Sequence, residues 1–405
     1  MPFGRFRIIV VACGFTVLAL FAGCGGGSGS RKSVPGANAA AIVVNAGPAR
    51  NFANGLFTTV TICASGTSNC QAISGVLVDT MSFGVRILSS ALPSSVSSAL
   101  VQEKDASGNS VVECAQFSDG ITWGPVKTAD VKIASEEAAA IPIQVIGDPA
   151  FSAVPTGCSS AGAPEDTLSS LGANGILGIG PFVQDCPACA PGTTNNQNLY
   201  YSCAGSSCSV TTVGLPQQVQ NPVAAFATDN NGVLVELPAV PSSTTTVSGS
   251  LIFGIGTQSD NGLGGAHVYT IDTTAQNFGN ISTTFKGQSY SSFLDTGSNA
   301  YFFLDSTTTG LPTCPSPETG FYCPSSRVSF SATNTGANNA STTISFSIDN
   351  ADTLFSNLAD TVFPTLGGPN SGVFDWGLPF FYGRNVFVAI DGAHTPGGAG
   401  PYWAY

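Results

Sequence analysis

Short apolar segments alternate with turn-forming residues along most of the chain. The segments are rich in β-branched residues, and Gly, Asn, Ser or Pro bound each of them. Their lengths suit β-strands better than helices. The clearest expected strands are Leu56–Ile62, Val76–Val78, Ala129–Ile133, Ile141–Ile146, Ser250–Gly254, Phe293–Leu304, Thr342–Ile348 and Asn385–Asp391. The pattern therefore predicts an all-β protein.

Helical periodicity is confined to two stretches, Val96–Glu103 and Ala351–Leu358, where we expect short helices. A polar break at Pro241–Thr246 is either a surface loop near a lobe boundary or a long hairpin loop. The 405 residues are enough for two domains. We expect an N-terminal β lobe over residues 49–246 and a C-terminal β lobe over residues 247–405.

The N-terminus has the pattern of an export signal over residues 1–24. Arg5 and Arg7 precede a mostly apolar run that is too short to cross a bilayer comfortably. The run ends in Phe-Ala-Gly before Cys24, which resembles the lipobox of bacterial lipoproteins. The resemblance implies that Cys24 carries a lipid; the alternative is an ordinary signal peptide that is cleaved nearby.

A Gly- and Ser-rich stretch follows Cys24, and we expect a flexible tether over residues 25–48. A lipid and a tether together predict a protein anchored to a membrane of the bacterial cell envelope. The outer membrane, on its periplasmic or surface face, is the expected location.

Charge and composition exclude several kinds of partner and cofactor. The formal net charge is −12 with only 12 Lys and Arg, which argues against a nucleic-acid partner. The two histidines, His267 and His394, are too few for a His-rich metal site, and we expect no metal. The Gly-rich tracts lack the strand and helix context of a nucleotide site, so we expect no cofactor.

Ten of the 12 cysteines remain once Cys13 and Cys24 are set aside with the signal, and an even number favours disulfides. Sequence spacing suggests three bridges, namely Cys63–Cys70, Cys114–Cys158 and Cys314–Cys323. The remaining four are Cys186, Cys189, Cys203 and Cys208, for which we favour two nested or crossed disulfides over a zinc site.

One internal repeat carries candidate chemistry. Val76–Ser82 and Ser292–Ser298 each contain an apolar strand that ends in Asp-Thr, then a turn residue and Ser. The aspartates, Asp79 and Asp295, lie 216 residues apart, one in each expected lobe. Two copies of a half-site in two similar lobes predict a site at an approximate two-fold axis.

Two facing carboxyl groups do not both ionise easily, so one keeps a proton while the other is charged. Such a pair can activate water as a general base and protonate a leaving group as a general acid. The small polar neighbours can support the pair: the Thr hydroxyls can bond across the axis, and the Ser hydroxyls and loop amides can hold the carboxyl oxygens. These supporting residues are Thr80, Ser82, Thr296, Gly297 and Ser298.

These loops, with segments elsewhere in the chain, resemble the pepsin-like aspartic peptidases over roughly residues 50–395. The further segments are Gly175–Gly180 and Asp375–Phe381, which resemble the strands crossing beneath the two loops, Gly249–Gly254 at the start of the second lobe, and Phe117–Gly124 at the flap hairpin. The chain is also similar to a family of bacterial envelope lipoproteins that carries this pattern.

The resemblance implies a bilobal double barrel with a cleft, catalytic Asp79 and Asp295, and a peptide or protein substrate. It places four residues at the substrate, which are Met81, Phe117, Asp119 and Trp123. Three positions depart from the family pattern: Met81 replaces Gly, Phe117 replaces the flap Tyr, and Asp375 replaces an apolar residue.

These departures leave three functions open. The first is an envelope-anchored aspartic endopeptidase, which the paired aspartates favour. The second is a catalytically impaired pepsin-like lipoprotein that binds peptides or an envelope partner, which Met81 favours because its side chain crowds the cleft. The third is a structural lipoprotein of β-sandwich type, in which the repeats are only core strands.

Overall fold

The computed structural model describes residues 36–194, 196–273 and 279–405, and strands dominate all three stretches. The first twelve strands are β1 Ala39–Asn45, β2 Gly55–Cys63, β3 Cys70–Asp79, β4 Phe83–Leu88, β5 Val101–Gln102, β6 Ser110–Gln116, β7 Ile121–Ile133, β8 Glu136–Ile146, β9 Gly175–Ile179, β10 Tyr200–Ala204, β11 Ser207–Val210 and β12 Gly232–Leu237. The next thirteen are β13 Val247–Phe253, β14 Val268–Thr270, β15 Ile281–Phe285, β16 Gln288–Asp295, β17 Tyr301–Leu304, β18 Val328–Thr335, β19 Ser341–Ile348, β20 Gly367–Gly368, β21 Asn370–Gly377, β22 Arg384–Ala389, β23 His394–Thr395, β24 Gly398–Ala399 and β25 Tyr402–Ala404. The α-helices are short, and they are α1 Ser94–Ser97, α2 Thr156–Ser159, α3 Leu168–Leu171, α4 Ser306–Thr309 and α5 Ala351–Phe355. The all-β prediction is confirmed.

The N-terminal lobe is built around a closed ring of strands. The order β7-β8-β4-β9-β3-β2 returns to β7 because β2 and β7 also pair, through Cys63 and Asp130 at one end. Closure removes the free edges of this part of the sheet. The inward side chains are aliphatic and fully buried, as Val60, Val131 and Ile143 illustrate.

The C-terminal lobe contains a seven-stranded sheet in the order β19-β18-β15-β16-β21-β17-β20. Aromatic side chains fill its core. The rings of Phe303, Phe346, Phe374 and Trp376 pack against one another with centroid distances between 4.7 and 5.9 Å. Their large buried surfaces contribute hydrophobic stabilisation to the lobe.

One run of strands joins the two lobes into a bilobal fold. It continues from β2 through β1, β13, β12 and β22 to β25 and β14, so strands from both halves of the chain alternate in it. A single hydrophobic core, which includes Val235, Leu251 and Val388, extends through this junction. The lobes are therefore held by backbone hydrogen bonds and by shared apolar packing.

The first strand corrects one expectation. Ala39–Asn45 lies inside the stretch 25–48 for which the sequence predicts a flexible tether, yet it pairs with both β2 and β13 and buries Ile42 and Val44. The expected signal segment, with Cys24, lies outside the described residues. No helix in the described part of the chain is long and apolar enough to cross a membrane.

The expected helices are shorter than the sequence pattern suggests. Helix α5 covers only the first part of Ala351–Leu358. The expectation for Val96–Glu103 is wrong in its second half, because helix α1 ends at Ser97 and Val101–Gln102 pairs with β7 as β5. The expected strand Phe293–Leu304 is two strands, β16 and β17, separated by the second Asp-Thr loop.

Five disulfides are present among the described residues. They are Cys63–Cys70, Cys114–Cys158, Cys186–Cys189, Cys203–Cys208 and Cys314–Cys323. The three bridges expected from spacing are confirmed. The four-cysteine cluster forms two separate local bridges, so the expectation of nested or crossed pairs is wrong. All four of its sulfurs are bonded to carbon and sulfur, which leaves no thiolate for zinc.

Candidate active site

The two Asp-Thr loops begin at the ends of equivalent strands. In the first lobe β9 runs parallel to β3 and places Gly178 beside Asp79. In the second lobe β21 runs parallel to β16 and places Gly377 beside Asp295. The two segments that the resemblance places beneath the loops therefore occupy matching positions.

Both crossing segments need glycine at the point of closest approach. A Cβ atom on Gly178 would lie 2.6 Å from the backbone nitrogen of Phe83. A Cβ atom on Gly377 would lie 2.0 Å from the carbonyl oxygen of Ala300. Each distance is shorter than a normal non-bonded contact, so a side chain at either position would push the Asp loop out of place.

Each aspartate is held by its own loop. Asp79 Oδ1 accepts from the amides of Met81 (2.8 Å) and Ser82 (3.1 Å), and its Oδ2 accepts from the Ser82 hydroxyl at 2.7 Å. Asp295 Oδ1 accepts from the Gly297 amide at 2.7 Å, and its Oδ2 accepts from the Ser298 hydroxyl at 2.7 Å. These donors fix the orientation of both carboxyl groups.

Reciprocal threonine bonds lock the two loops together. The Thr80 hydroxyl donates to the carbonyl of Leu294 at 2.8 Å and accepts from the amide of Thr296 at 3.0 Å. The Thr296 hydroxyl donates to the carbonyl of Val78 at 2.8 Å and accepts from the amide of Thr80 at 3.2 Å. Both side chains are buried, so neither loop can move without breaking bonds to the other.

The third loop residue differs between the two copies. A Cβ atom on Gly297 would lie 2.8 Å from the Asp79 Cγ and 3.0 Å from the Oδ1 atoms of both aspartates. The two carboxyl groups therefore lie within a few ångströms of one point. Met81, at the equivalent place, keeps its amide bond to Asp79, and its side chain extends to within 3.9 Å of the Cβ position of Gly279 in the other lobe.

A β-hairpin formed by β6 and β7 stands beside this pair. Its turn is closed by a bond from the Phe117 amide to the carbonyl of Gly120 at 2.8 Å. A neighbouring segment braces it, because the Ile121 amide donates to the carbonyl of Ala163 at 2.8 Å. The Cys114–Cys158 bridge attaches that segment to β6. The hairpin is thus supported by the segment that contains Cys158 and Ala163.

The aspartates lie in a cavity of about 670 Å³ between the hairpin and the loops. Its lining comes from both lobes and is partly apolar. The lining includes Asp79, Met81, Phe117, Asp295, Ser298 and Asp375. The volume lies within the range that small-molecule sites occupy.

A family model described as "Protein of unknown function (DUF3443)" matches residues 35–405, nearly the whole chain. The chain belongs to the DUF3443 family. No curated protein matches this DUF3443 chain.

Solved structures match this DUF3443 chain. One of them is the aspartic proteinase from Irpex lacteus, with a TM-score of 0.54 and 16% sequence identity. The alignment covers 90% of this chain and 96% of the proteinase. At this identity the similarity establishes a shared pepsin-like fold and nothing about activity. The bilobal fold expected from the sequence is confirmed.

Of the substrate-binding residues expected from the sequence of this DUF3443 chain, Met81 and Phe117 line the cavity. Among the described lining residues, neither Asp119 nor Trp123 is present. Trp123 faces elsewhere, because its indole N–H donates to the carbonyl of Phe151 at 2.7 Å and its ring packs edge-on against Tyr201. Trp123, which the resemblance places at the substrate, is therefore directed away from the cavity.

A buried charge network that the sequence pattern does not predict lies beside the cavity. Arg86 on β4 donates to both oxygens of Glu113, at 3.2 and 2.5 Å, and to Asp185 Oδ2 at 3.2 Å. Its guanidinium also lies 5.7 Å from the centre of the Phe117 ring. The network therefore connects the wall of the cavity to the hairpin. The sequence indicates this network only by an arginine inside the otherwise apolar segment Val85–Leu88.

Burial and neighbouring charges together set the protonation of this network. Burial and then the Glu113 charge raise the pKa of Asp185 well above its usual range. Burial lowers the pKa of the Arg86 guanidinium, but the charges of Glu113 and Asp185 outweigh it and raise the pKa overall. The arginine is therefore always charged, and Asp185 holds its proton to a higher pH than an exposed aspartate.

One group of three potential metal ligands lies elsewhere among the described residues. It consists of Cys314, Cys323 and Asp352. The two cysteines form a disulfide, so their sulfurs are poor ligands.

Proposed function

We propose that this protein is an aspartic endopeptidase, in which Asp79 and Asp295 together activate a water molecule for attack on a peptide bond. The observation that supports it is the paired construction of the site: two carboxyl groups, each held by an amide and a serine hydroxyl, meet at the floor of a cavity. A carboxylate can take the proton of the water while its protonated partner donates to the peptide.

The support around the pair matters because neither carboxyl has to reorganise during the reaction. Ser82 and Ser298 hold one oxygen of each aspartate at 2.7 Å, and the threonine bonds keep the loops in register. Donors that are already in place stabilise developing charge at little further cost. In this proposal the peptide lies in the cavity beside the hairpin.

The test is hydrolysis of a peptide library by the full-length protein across acid to neutral pH. Asp79→Asn and Asp295→Asn should each reduce kcat/KM at least about 100-fold, because each variant removes one member of the acid–base pair. Asp352→Asn, on the exposed face of α5, is the matched control and should keep the parent rate. Undiminished cleavage by either site variant would assign the hydrolysis to another group.

Met81 supports a second candidate, a protein that binds peptides in this cleft with little or no catalysis. Its side chain lines the cavity, whereas the equivalent residue of the second loop, Gly297, has no side chain. Neither residue is among those with a positive φ, so the backbone tolerates a side chain at position 81 and the effect is one of volume. We therefore expect weak hydrolysis by the natural protein.

Met81→Gly separates the two candidates. A gain in kcat/KM on the same library would show that the methionine obstructs a competent site. Strong natural activity that falls in Met81→Gly would show that the side chain contacts substrate instead. Absence of hydrolysis by both proteins, with retained peptide binding, would favour the binding protein.

We also propose that a lipid on Cys24 anchors the protein in the bacterial cell envelope, after export directed by residues 1–24. The support is the lipobox-like sequence and the five disulfides, which are typical of exported proteins. Cys24→Ser should abolish incorporation of a labelled fatty acid. Equal labelling of variant and parent would refute the anchor.

A further inference from the structure

Arg86 contacts the hairpin beside the aspartate pair at two points. It lies on β4, the strand that follows the first Asp-Thr loop, and β4 pairs with β8 and β9. The guanidinium donates to Glu113 on β6 and lies 5.7 Å from the centre of the Phe117 ring. The hairpin is thus attached to the sheet that carries Asp79.

Four hydrogen bonds hold this guanidinium in one orientation. Besides both oxygens of Glu113, it donates to Asp185 Oδ2 at 3.2 Å and to the carbonyl of Phe83 at 2.9 Å. Asp185 also accepts from the hydroxyl of Tyr200 at 2.6 Å, and Tyr200 pairs with Glu113 between β10 and β6. These contacts form a closed ring, so the arginine side chain cannot move without breaking bonds to the hairpin strand.

Phe117 connects these contacts to the turn of the hairpin. Its amide closes the turn by donating to the carbonyl of Gly120 at 2.8 Å, and its ring packs against an apolar cluster that includes Leu77 and Leu88. The same ring lies under the charge of Arg86, and a cation within about 6 Å of an aromatic face is attracted to it. Because Phe117 lines the cavity, its position sets how far the hairpin stands from the aspartates.

The second lobe shows that this strand position does not require a charge. Arg86 follows Asp79 by seven residues, and Phe302 on β17 follows Asp295 by seven. Both pair with the strand that crosses beneath their own loop, Arg86 with β9 and Phe302 with β21. Phe302 is buried in an apolar cluster. A buried charge costs free energy that apolar packing avoids, so the fold of β4 alone does not explain the arginine.

We propose that Arg86 is a positioning residue for the hairpin. It fixes the strand through Glu113 and the turn through Phe117, so the hairpin stands at one distance from the aspartate pair and a peptide meets a preformed cavity. Pre-organisation of this kind lowers the ordering cost of binding. The inference rests on the proposed function for its effect on hydrolysis, whereas its effect on the hairpin does not require catalysis.

Amide hydrogen exchange of the full-length protein measures the hairpin directly. Arg86→Lys keeps the charge but replaces the planar donor fork with a single ammonium group. Phe117→Leu removes the aromatic ring and keeps an apolar side chain. Each variant should speed exchange of the turn amides, residues 117–121, by about 3- to 30-fold, the range for one partly desolvated cation–π contact. Exchange in β16 of the second lobe should keep the parent rates.

Three further variants separate positioning from general stabilisation of the lobe. Arg327→Lys, which alters the bidentate pair with Asp349 in the second lobe, is the matched control and should leave exchange at the turn unchanged. Phe117→Tyr keeps the ring and should retain the parent exchange rates. In the double variant of Arg86→Lys and Phe117→Leu, the two effects should fall short of additivity, because both act on one contact. Unchanged exchange at the turn in both single variants, fully additive effects, or an equal rise across all strands of the N-terminal lobe would overturn the proposal.

Kinetics on the best library peptide connects the hairpin to hydrolysis. The aspartates are held by their own loops, so Arg86→Lys should raise KM by about 3- to 30-fold and change kcat much less. A fall in kcat with an unchanged KM would contradict a positioning role.

A binding measurement separates this proposal from the peptidase itself. If the parent cleaves nothing, a fluorescently labelled library peptide is titrated instead, after circular dichroism shows that parent and Arg86→Lys are both folded. Weaker binding by Arg86→Lys, together with faster exchange at the turn, means that the positioning role holds and the peptidase fails. Equal binding by the two proteins would overturn the role of Arg86.

Discussion

The threonine bonds between the loops give a prediction whose size follows from the structure. Thr80→Val keeps the side-chain volume and removes one hydroxyl. The hydroxyl is fully buried and has two backbone partners, the Leu294 carbonyl at 2.8 Å and the Thr296 amide at 3.0 Å. Each partner loses its bond in a dry environment at a cost of about 1–3 kcal/mol, so the variant should lose about 2–6 kcal/mol of stability.

Thr80→Ser is the matched control. It keeps the hydroxyl and removes one methyl group, which costs about 1 kcal/mol at a buried site. The measurement is urea unfolding followed by tryptophan fluorescence, with the slope of the transition checked for each variant. Thr80→Val should also lose hydrolysis of the best library peptide, whereas Thr80→Ser should retain most of it.

A double variant tests whether the two threonines act as one unit. Thr296→Val removes the symmetric pair of bonds, to the Val78 carbonyl and the Thr80 amide. Because both changes loosen the same junction, their costs should fall short of additivity by about 0.5–3 kcal/mol. If Thr80→Val lowers the free energy of unfolding no more than Thr80→Ser does, the threonine bonds between the loops contribute nothing to stability.

Three further variants test the surroundings of the pair. Gly297→Ala places a methyl group 2.8 Å from Asp79 Cγ. It should lower the free energy of unfolding in urea by about 1–3 kcal/mol and lower kcat at least about tenfold. Parent-like values would show that the loop can shift to admit the methyl group. Arg86→Met leaves the fully buried Glu113 without its cation and should lower the free energy of unfolding by about 3–5 kcal/mol at neutral pH. A change below about 1 kcal/mol would show that the network does not stabilise the fold. Burial and the Glu113 charge raise the pKa of Asp185, so its contribution to stability is complete below about pH 4 and declines as the pH rises towards the raised pKa. Asp185→Asn should therefore reduce the fall in the free energy of unfolding between about pH 4 and 7, measured by urea unfolding. An unchanged dependence on pH would show that other groups cause the fall.

The aspartate pair could be predicted from the sequence because the same local pattern occurs twice. An apolar strand that ends in Asp-Thr, followed by Ser two residues later, contains the carboxyl group and its nearest donors within four residues. The fold of each half-site is thus local. The crossing segments were also recognisable, since glycine is required where the backbones approach.

The charge network and the first strand could not be predicted in the same way. Arg86 meets Glu113 and Asp185, which are 27 and 99 residues away, and no local pattern indicates that pairing. Ala39–Asn45 is a strand because β2 and β13 pair with its two edges. Trp123 belongs to the hairpin as expected, but the side of the strand that faces the cavity depends on the register with β6 and β8.

The order of the disulfides bears on how the chain matures. Every bridge among the described residues joins a cysteine to the next one along the sequence, from Cys63–Cys70 to Cys314–Cys323. A chain that enters an oxidising compartment N-terminus first exposes each cysteine together with its native partner before the following pair arrives. Oxidation in order of arrival then gives the native set directly, so the seconds-to-hours step of disulfide reshuffling is not required. The disulfides of each lobe can form in turn, and hydrogen bonds and apolar contacts then join the two lobes.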